Sequence, residues 1–386
     1  MKIAFIVYNI YGVGGTVRTT VHSANMLSEL GHEVEIYSVK RTSAVPTFPL
    51  LPSVKLIPLF DSRRGKVFHP KSNKIFKLFK RLLLKVPSIL IDKSEDLYKQ
   101  FNLFIDLKLY RALKKIDSDV VISTFPSINL LNIKYVPKKC FKIGQEHSQY
   151  DVYSDALQSK IKKEYSKLDI LTCLSQEEAD RYKEVVEKIN VKIIPNAALV
   201  NEERSTLENP YIITAGRLTE DKAFDKLVKI FAEVHPEFPE WKLKIFGNGE
   251  ERKKIITLIN NLGMGSHIKL LPPTKELELE MTKASIFALT SKYESFGMVI
   301  VESMAAGLPC ISYASKGPNL LIENGQNGFI IEQDQEEEYI EKLKKLMQSK
   351  DLRMQMVLNS QKTVSTYAYE NIKHLWDELI ESSFKD

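Results

Sequence analysis

The chain has 386 residues, of which 44% are hydrophobic and 27% are charged, and its formal net charge is +6. This composition is typical of a globular protein and excludes a disordered chain, and no apolar run approaches the roughly 20 residues that a transmembrane helix needs. Because single cores stop growing below this length, we expect two domains.

The first predicted element is a buried strand at residues 2–8 (KIAFIVY), followed by NIYGVGGT and an amphipathic helix that stops at Gly31. We interpret the opening run as this strand and not as a signal peptide, because it lacks a small-residue cleavage site. Gly14 and Gly15 precede the helix, where backbone NH groups favour phosphate oxygens. The stretch fits neither the dinucleotide fingerprint nor the Walker loop, so a plain tight turn is the alternative.

A basic stretch follows the second predicted strand. Nine Lys or Arg residues and no acids lie between Arg63 and Lys85, and removing these nine from the 55 in the chain leaves 46 bases against 49 acids. Residues 71–86 predict a helix with one apolar and one basic side, as in helices that lie on an anionic membrane. A polyanionic acceptor, or a helix with a buried apolar face, are the alternatives. The patch comprises basic Lys74, Lys77, Lys80, Arg81 and Lys85, and apolar Ile75, Leu78, Phe79, Leu82, Leu83 and Val86.

Short apolar runs alternate with helical stretches through both halves of the chain, which predicts α/β domains with doubly wound parallel sheets. Segment 196–210 has no long apolar run, so we interpret it as a linker. The predicted domains span 1–198 and 199–367, and a C-terminal helix at 368–386 packs back on the first. Ligands of such sheets bind beyond the carboxyl ends of the strands, so we expect a cleft between the domains.

Two motifs in the second half point to a phosphate-bearing ligand. AGRLTEDKAFDKLV places Arg217 just past a strand end and Lys222 at a helix start, which suits a diphosphate, whereas solvated side chains are the alternative. ESFGMVIVE sets Glu294 and Glu302 eight positions apart across a helix start. Two such acids suit a glycosidase pair, the hydroxyls of a nucleotide sugar, or ordinary solvated positions.

The three cysteines, Cys140, Cys173 and Cys310, are scattered and form no CxxC pair. The spacing therefore indicates neither a disulfide framework nor a zinc site, and a reducing cytoplasm fits.

Taken together, the motifs resemble those of the family 4 retaining glycosyltransferases of the GT-B fold. The resemblance rests on the pair Glu294 and Glu302, on Arg217 and Lys222, on the glycine loop, and on the EHS, PN, GNGEE and AAGLP…GP…NGF stretches. It covers nearly the whole chain. The family commonly has Gly after the phosphate-binding Lys, where this chain has Ala223, and we expect a small backbone adjustment there.

The resemblance implies a role for each matching residue. Arg217 and Lys222 would hold the donor diphosphate, Glu302 the ribose hydroxyls, and Glu294 the donor sugar. His147 would lie near the sugar and the acceptor, although a packed histidine is the alternative. His147, Glu294, Arg217 and Lys222 form the implied catalytic set. The implied donor site comprises Gly14, Gly15, Asn196, Gly216, Arg217, Lys222, Gly247, Glu294, Ser295, Phe296, Gly297, Met298, Val299 and Glu302.

The resemblance further implies transfer, with retention, of a hexose or N-acetylhexosamine from a nucleotide sugar, for which UDP is the expected nucleotide. The expected acceptors are a cell-surface polysaccharide, a teichoic acid or a lipid-linked glycan, and no metal or other cofactor is expected. We expect a cytoplasmic enzyme at the inner face of the membrane, without nucleic-acid partners. A nucleotide-sugar epimerase on the same fold and a non-catalytic nucleotide-sugar-binding protein are the alternatives.

Overall fold

The computed structural model describes residues 1–67, 73–199 and 203–384, which form two compact units. The first unit comprises Met1–Pro195 together with Ile372–Asp386, and the second comprises Asn196–Asn371. Each unit contains its own parallel sheet flanked by helices. The predicted α/β class with two doubly wound sheets is therefore confirmed.

The first unit contains a seven-stranded sheet in the order β3-β2-β1-β4-β5-β6-β7. Every residue of β4 and of β6 is buried, and since successive residues of a strand face opposite sides, both faces of the sheet are covered. The strand order reverses between β1 and β4, the place where doubly wound sheets bind ligands. The strands are Lys2–Val7 (β1), Glu33–Arg41 (β2), Lys55–Asp61 (β3), Val120–Ser123 (β4), Phe141–Gln145 (β5), Ile170–Cys173 (β6) and Val191–Ile193 (β7).

Strand β3 was missed by the sequence analysis. It lies at the edge of the sheet, pairs with β2 alone among the described strands, and most of its residues are only partly buried. It also contains Pro58, which removes a backbone donor and is tolerated at an edge. An edge strand with a proline gives a weak apolar pattern, which explains the omission.

Side-chain caps define the starts of several helices in the first unit. Asn73, Asn102, Ser154 and Ser175 each accept a hydrogen bond from a backbone NH in the first turn of the helix that follows. The helices are Gly15–Glu29 (α1), Lys74–Lys85 (α2), Leu103–Leu113 (α3), Pro126–Tyr135 (α4), Asp155–Glu164 (α5) and Gln176–Val185 (α6). Of the predicted basic helix, Lys71 lies outside the described residues.

The second unit contains a six-stranded parallel sheet in the order β10-β9-β8-β11-β12-β13, which reverses between β8 and β11. Its strands are Tyr211–Ala215 (β8), Lys242–Phe246 (β9), Ile268–Leu271 (β10), Ile286–Leu289 (β11), Cys310–Tyr313 (β12) and Gly328–Ile331 (β13). Its helices are Phe224–Val234 (α7), Arg252–Asn261 (α8), Leu277–Thr282 (α9), Met298–Ala305 (α10), Lys316–Leu321 (α11), Glu336–Gln348 (α12) and Lys350–Thr366 (α13).

The last helix, Tyr369–Ser382 (α14), leads from the second unit into the first. The ammonium group of Lys373 lies 3.3 Å from a carboxylate oxygen of Glu29. The Phe384 and Phe141 rings lie 5.3 Å apart between centroids. Both contacts lie within the first unit, so the end of the chain is part of that unit's core and surface.

Glycines allow the turns after β8 and β9 to touch. A Cβ on Gly249 would lie 2.3 Å from the carbonyl oxygen of Leu218, and one on Gly247 would lie 2.1 Å from that of Gly216. The NH of Leu218 donates to the carbonyl of Asn248 at 2.9 Å, which joins the two turns directly. Backbone contact at this distance fixes the turn that carries Arg217.

We expect Gly249→Ala to destabilise the protein by about 1–3 kcal/mol, because the added Cβ would force two backbone segments apart. Urea unfolding followed by tryptophan fluorescence measures the change. The matched control is Gly265→Ala, since a Cβ at Gly265 has as its nearest neighbour the Asn260 side-chain oxygen at 3.8 Å. Equal losses of unfolding free energy in the two variants would contradict the predicted cost of a Cβ at Gly249.

Candidate functional site

In the second unit, the predicted phosphate-binding and acidic residues lie at the point where the sheet order reverses. Arg217 follows β8, and Glu294 follows β11, which pairs in parallel with β8. Carboxyl ends of paired parallel strands lie at the same edge, so residues far apart in sequence come together there. The Arg217 side chain is exposed at this edge.

Lys222 and Glu294 form an ion pair. The ammonium nitrogen of Lys222 lies 2.6 Å from Glu294 Oε1, and the exposed fractions of the two side chains are only 14% and 16%. Ser291 donates its hydroxyl to the same oxygen at 3.1 Å. Within the described part of the chain, Glu294 Oε2 has no such hydrogen-bond donor. The carboxylate is thus oriented by two donors and keeps one oxygen for a further hydroxyl or NH group.

Lys222 precedes the helix instead of beginning it. It ends a short 3₁₀ turn at Glu220–Lys222, and α7 starts at Phe224. Ala223 between them has φ 46° and ψ 40°, the left-handed conformation that glycine adopts at less cost. For an L-residue this conformation costs about 1–2 kcal/mol. The Thr290 hydroxyl donates to the Ala223 carbonyl at 3.0 Å, a contact that helps to hold the turn.

The loop from Glu294 to Gly297 leads into α10, and its backbone is in contact with the backbone at Gly317. The NH of Gly317 donates to the Glu294 carbonyl at 2.9 Å, and a Cβ on Gly317 would lie 2.5 Å from the Phe296 carbonyl carbon. Gly297 has φ 83° and caps the helix. The first NH groups of an α-helix have no partner within the helix, so Met298 and Val299 present donors at this end.

The remaining residues of the predicted nucleotide-sugar site in the second unit differ in burial and in the element that carries them. Glu302 lies on α10 and is buried, with 4% of its surface exposed. Asn196 is also buried, and its side-chain oxygen accepts no hydrogen bond from any residue that the structure describes. Ser295 lies in the loop before α10. The second unit thus gathers Gly216, Arg217, Lys222, Gly247 and the 294–302 segment around one sheet edge.

The other predicted residues belong to the first unit. Gly14 and Gly15 are exposed at the start of α1, where Gly14 has φ 132° and the NH of Arg18 donates to its carbonyl. His147 follows β5, at the carboxyl edge of the first sheet. The predicted site residues therefore form two groups, one in each unit.

His147 is partly exposed as a residue, but both of its ring nitrogens are buried and have no hydrogen-bond partner among the described residues. Burial lowers the pKa of His147 to about 4, so the ring is neutral at pH 7. The preceding Glu146 is buried, and its carboxylate accepts hydrogen bonds from Tyr153, Tyr165 and Asn129. Burial raises the pKa of Glu146 to about 7, although these donors oppose the shift.

A second carboxyl near this edge shares the same electrostatic environment. Glu95 accepts a hydrogen bond from the backbone NH of Ser127 at 2.6 Å, at the start of α4. Burial raises the pKa of Glu95 to about 7 against the effect of this bond, and the charge of Asp92 adds to the rise. Glu95 in turn raises the pKa of Glu146.

The sequence analysis assigned no role to Ser291, Glu146 or Glu95. Glu146 stands just past β5 and directly before His147, and Ser291 stands two residues past β11 and three before Glu294. Position at a strand end was therefore a usable signal for both. Glu95 lies in an irregular segment, and nothing in the sequence around it predicts its burial.

The basic helix α2 packs on the first unit through only part of its apolar side. Leu83 and Leu84 pack against the core, whereas Ile75, Leu78 and Phe79 are exposed by 75%, 60% and 56%. Further exposed apolar residues are Leu82, Val86 and Ile89. The interpretation of α2 as a helix with a buried apolar face is therefore excluded for most of its apolar side chains.

Lys80 lies on the inner side of α2. Its ammonium group lies 4.7 Å from the centroid of the Phe104 ring and 5.6 Å from that of Phe60, and it donates to the Val67 carbonyl. Burial lowers the pKa of Lys80, and the charge of Lys108 adds to this effect. In contrast, Lys74 and Lys85 are exposed on the helix.

Within residues 1–67, 73–199 and 203–384, no three His, Cys, Asp or Glu side chains are grouped closely enough to bind a metal ion. Cys140, Cys173 and Cys310 are all buried thiols without a disulfide bond. In the same described ranges, every helix is too short or too polar to cross a bilayer.

Residues 197–363 match the sequence profile of the family described as Glycosyl transferases group 1. Three curated proteins are similar over 98% of this chain. An exopolysaccharide phosphotransferase of Streptomyces coelicolor is 29% identical, and the chain spans 40% of its length. An uncharacterized glycosyltransferase of Haemophilus influenzae is 26% identical, and the amylovoran biosynthesis glycosyltransferase AmsD of Erwinia amylovora is 22% identical, each matched over 99% of its length.

Two solved structures share the fold. A mutant of S. aureus TarM, in complex with Fondaparinux, alpha-GlcNAc-glycerol and UDP, has a TM-score of 0.77 at 15% identity, and the match covers 98% of this chain and 99% of that one. The pneumococcal O-GlcNAc transferase GtfA, in complex with UDP and GlcNAc, also has a TM-score of 0.77, at 16% identity, covering 100% and 99%. With the two parallel sheets, these likenesses confirm the expected GT-B fold.

We expect Glu95 to make stability depend on pH. Because its pKa in the folded state is raised to about 7, its contribution to stability is present below the unfolded pKa near 4.5 and is lost as pH rises through 7. Glu95→Gln keeps an acceptor for Ser127 but cannot titrate. The melting temperature of the wild type should therefore fall more than that of Glu95→Gln between pH 5 and pH 8. Parallel curves would contradict the raised pKa.

Proposed function

We propose that the protein, in which residues 197–363 match the profile of the glycosyl transferases group 1 family, transfers a sugar from a nucleotide sugar to a glycan, a polyol-phosphate polymer or a lipid-linked acceptor of the cell surface. The observation that carries the proposal is the Lys222–Glu294 pair at the reversal point of the second sheet. The proposed donor is a UDP-linked hexose or N-acetylhexosamine.

The site offers complementary groups to both ends of such a donor. Lys222 and the exposed Arg217 supply cations for a diphosphate, and the first NH groups of α10 supply neutral donors. Glu294 has one carboxylate oxygen for a sugar hydroxyl, and the buried Glu302 is the proposed ribose contact. Since a carboxylate accepts and a phosphate needs donors, the arrangement orients a nucleotide sugar in one direction.

In the proposed reaction, negative charge develops on the departing diphosphate as the bond to the anomeric carbon breaks. Arg217, Lys222 and the α10 NH groups would be in place for this charge before the reaction begins, which is the efficient way to stabilise it. The proposal includes retention of configuration and no metal ion. The neutral His147 ring is the proposed contact with the sugar and the acceptor.

The proposed acceptor class follows the names of the relatives. One takes part in amylovoran biosynthesis, another is an exopolysaccharide phosphotransferase, and the TarM structure contains alpha-GlcNAc-glycerol. These names concern amylovoran, an exopolysaccharide and a glycosylated glycerol. They support a cell-surface acceptor for this chain as a proposal.

We expect UDP at about a hundred times its dissociation constant to stabilise the wild type by about 2.7 kcal/mol, which raises the melting temperature by roughly 5–10 °C for a domain of this size. Arg217→Ala should abolish most of the shift, because the exposed side chain is proposed to bind the ligand and is not packed in the core. Lys222→Ala should also abolish it, but it leaves Glu294 without its ion-pair partner and lowers the starting stability.

The matched control is Lys226→Ala, which removes a cation four residues further along that pairs instead with Asp334. It should keep the full shift with UDP. Shifts of the same size in Arg217→Ala and the wild type would contradict the donor site. A test of UDP release from UDP-sugars, with and without candidate acceptors, then separates a transferase from an epimerase and from a non-catalytic binder.

The surface of α2 is the proposed contact with an anionic membrane. Ile75, Leu78, Phe79 and Leu82 are exposed by 56% to 75% on a helix that also carries Lys74, Lys77, Arg81 and Lys85. Apolar side chains beside cations suit the boundary between anionic headgroups and acyl chains. The helix therefore presents both kinds of contact to one partner.

Reversing the charge at Lys74, Lys77 and Arg81 should weaken binding to phosphatidylglycerol vesicles by more than about a hundredfold, since each basic residue contributes about 1 kcal/mol near an anionic surface. Vesicle sedimentation measures the binding. The control reverses three exposed lysines of the second unit, Lys229, Lys253 and Lys275, for the same change in net charge. Unchanged binding by the α2 variant would contradict the membrane contact, and binding to soluble poly(glycerol phosphate) alone would favour an acceptor contact.

A further inference from the structure

Glu146 lies directly before His147 and is held by three other side chains. Tyr165 and the Asn129 amide donate to its Oε1, with the Asn129 contact at 2.9 Å, and Tyr153 donates to Oε2 at 2.7 Å. The Glu146 NH donates to the Thr172 carbonyl of β6 at 3.0 Å. With 2% of its surface exposed, this residue is fixed at both its backbone and its carboxylate.

One of these donors closes a loop. Tyr153 lies seven residues after Glu146, and the bond between them spans residues 147–152, which we call the His147 loop. Within this loop, the NH of Tyr150 donates to the Glu178 carboxylate at 3.1 Å. The other tyrosine, Tyr165, lies after α5 and outside the loop. Two hydroxyls thus hold one carboxylate, but only one of them closes the loop.

The His147 ring depends on this loop for its position. Neither ring nitrogen has a hydrogen-bond partner in the described part of the chain, so no polar contact of the ring itself fixes its direction. Its backbone lies between the fixed Glu146 and the anchored Tyr150. The direction of the ring therefore follows from how the ends of the loop are held.

We propose that Glu146 is a positioning residue, which directs the His147 ring by closing the His147 loop through its bond with Tyr153. The carboxylate makes no contact with substrate in this role. Its effect on the reaction rests on the proposed function, since that function gives His147 its contact with sugar and acceptor. The effect on the ring itself is independent of any activity.

The experiment compares Tyr153→Phe with Tyr165→Phe. Each variant removes one hydroxyl that donates to Glu146, but only Tyr153→Phe removes the side-chain hydrogen bond that closes the loop. The ¹³C and ¹⁵N resonances of the His147 ring, assigned by their loss in His147→Ala, report the surroundings of the ring. Turnover of the nucleotide sugar and the melting temperature are measured on the same samples. Glu146→Gln, which keeps the side-chain shape, serves as the conservative variant.

We expect both tyrosine variants to melt at lower temperature, and only Tyr153→Phe to shift the His147 resonances. We also expect Tyr153→Phe to lower kcat by about tenfold with little change in KM for the donor, since small misplacements of a reacting group act on rate. Glu146→Gln should fall between Tyr153→Phe and the wild type. Unchanged His147 resonances in Tyr153→Phe, or equal shifts in both tyrosine variants, would overturn the positioning role.

The activity of His147→Ala separates this inference from the proposed function. Full activity in that variant would contradict the proposed contact of His147 with sugar and acceptor. The resonance shifts of the two tyrosine variants would still decide whether Glu146 positions the ring. A rate loss of the same size in Tyr153→Phe and Tyr165→Phe, with no difference between their spectra, would assign the network to stability alone.

Discussion

The parallel pairing of β8 with β11 is the constraint on which the candidate donor site depends. Ile212 pairs with Ile286 and Ile213 with Phe287, so the two strands run side by side and end at the same edge. The turns that follow them carry Lys222 and Glu294, which are 72 positions apart in sequence but 2.6 Å apart at their charged atoms. Without this pairing, the two motifs could not form the Lys222–Glu294 ion pair.

The Lys222–Glu294 pair also determines which chemical groups a ligand needs in order to bind both side chains. Both side chains are mostly buried, so much of the cost of removing them from water is met on folding and not on binding. A diphosphate gives Lys222 a second anion, and a sugar hydroxyl gives Glu294 a second donor. A nucleotide sugar presents both groups together, whereas a free sugar or a free phosphate satisfies only one partner. In the proposed donor site, the pair would therefore favour the complete nucleotide sugar over its fragments.

The sequence predicted the strands that are buried on both faces, because continuous apolar runs identify them, but it missed β3 with Pro58 at the edge. It placed the phosphate-binding and acidic motifs at strand ends, since their turns follow such runs directly. It could not predict the left-handed conformation of Ala223, which tertiary contacts impose. The periodicity of α2 predicted two sides for the helix, but which side packs depends on the surface beneath it. Lys80 packs inward over Phe104, whereas Leu78 remains exposed.

The two units hold their candidate residues by different physical means. In the second unit, backbone segments touch at Gly247, Gly249 and Gly317, where a Cβ would lie within 2.5 Å of backbone atoms. Only glycine fits these positions without displacing the backbone, although a glycine such as Gly265 occurs without such a contact. In the first unit, Glu146 is held by side chains that lie 7, 17 and 19 positions away, and no local pattern connects them. A network of this kind becomes visible only when the strands are assembled, which is why the sequence pointed to His147 but not to the residues that hold its loop.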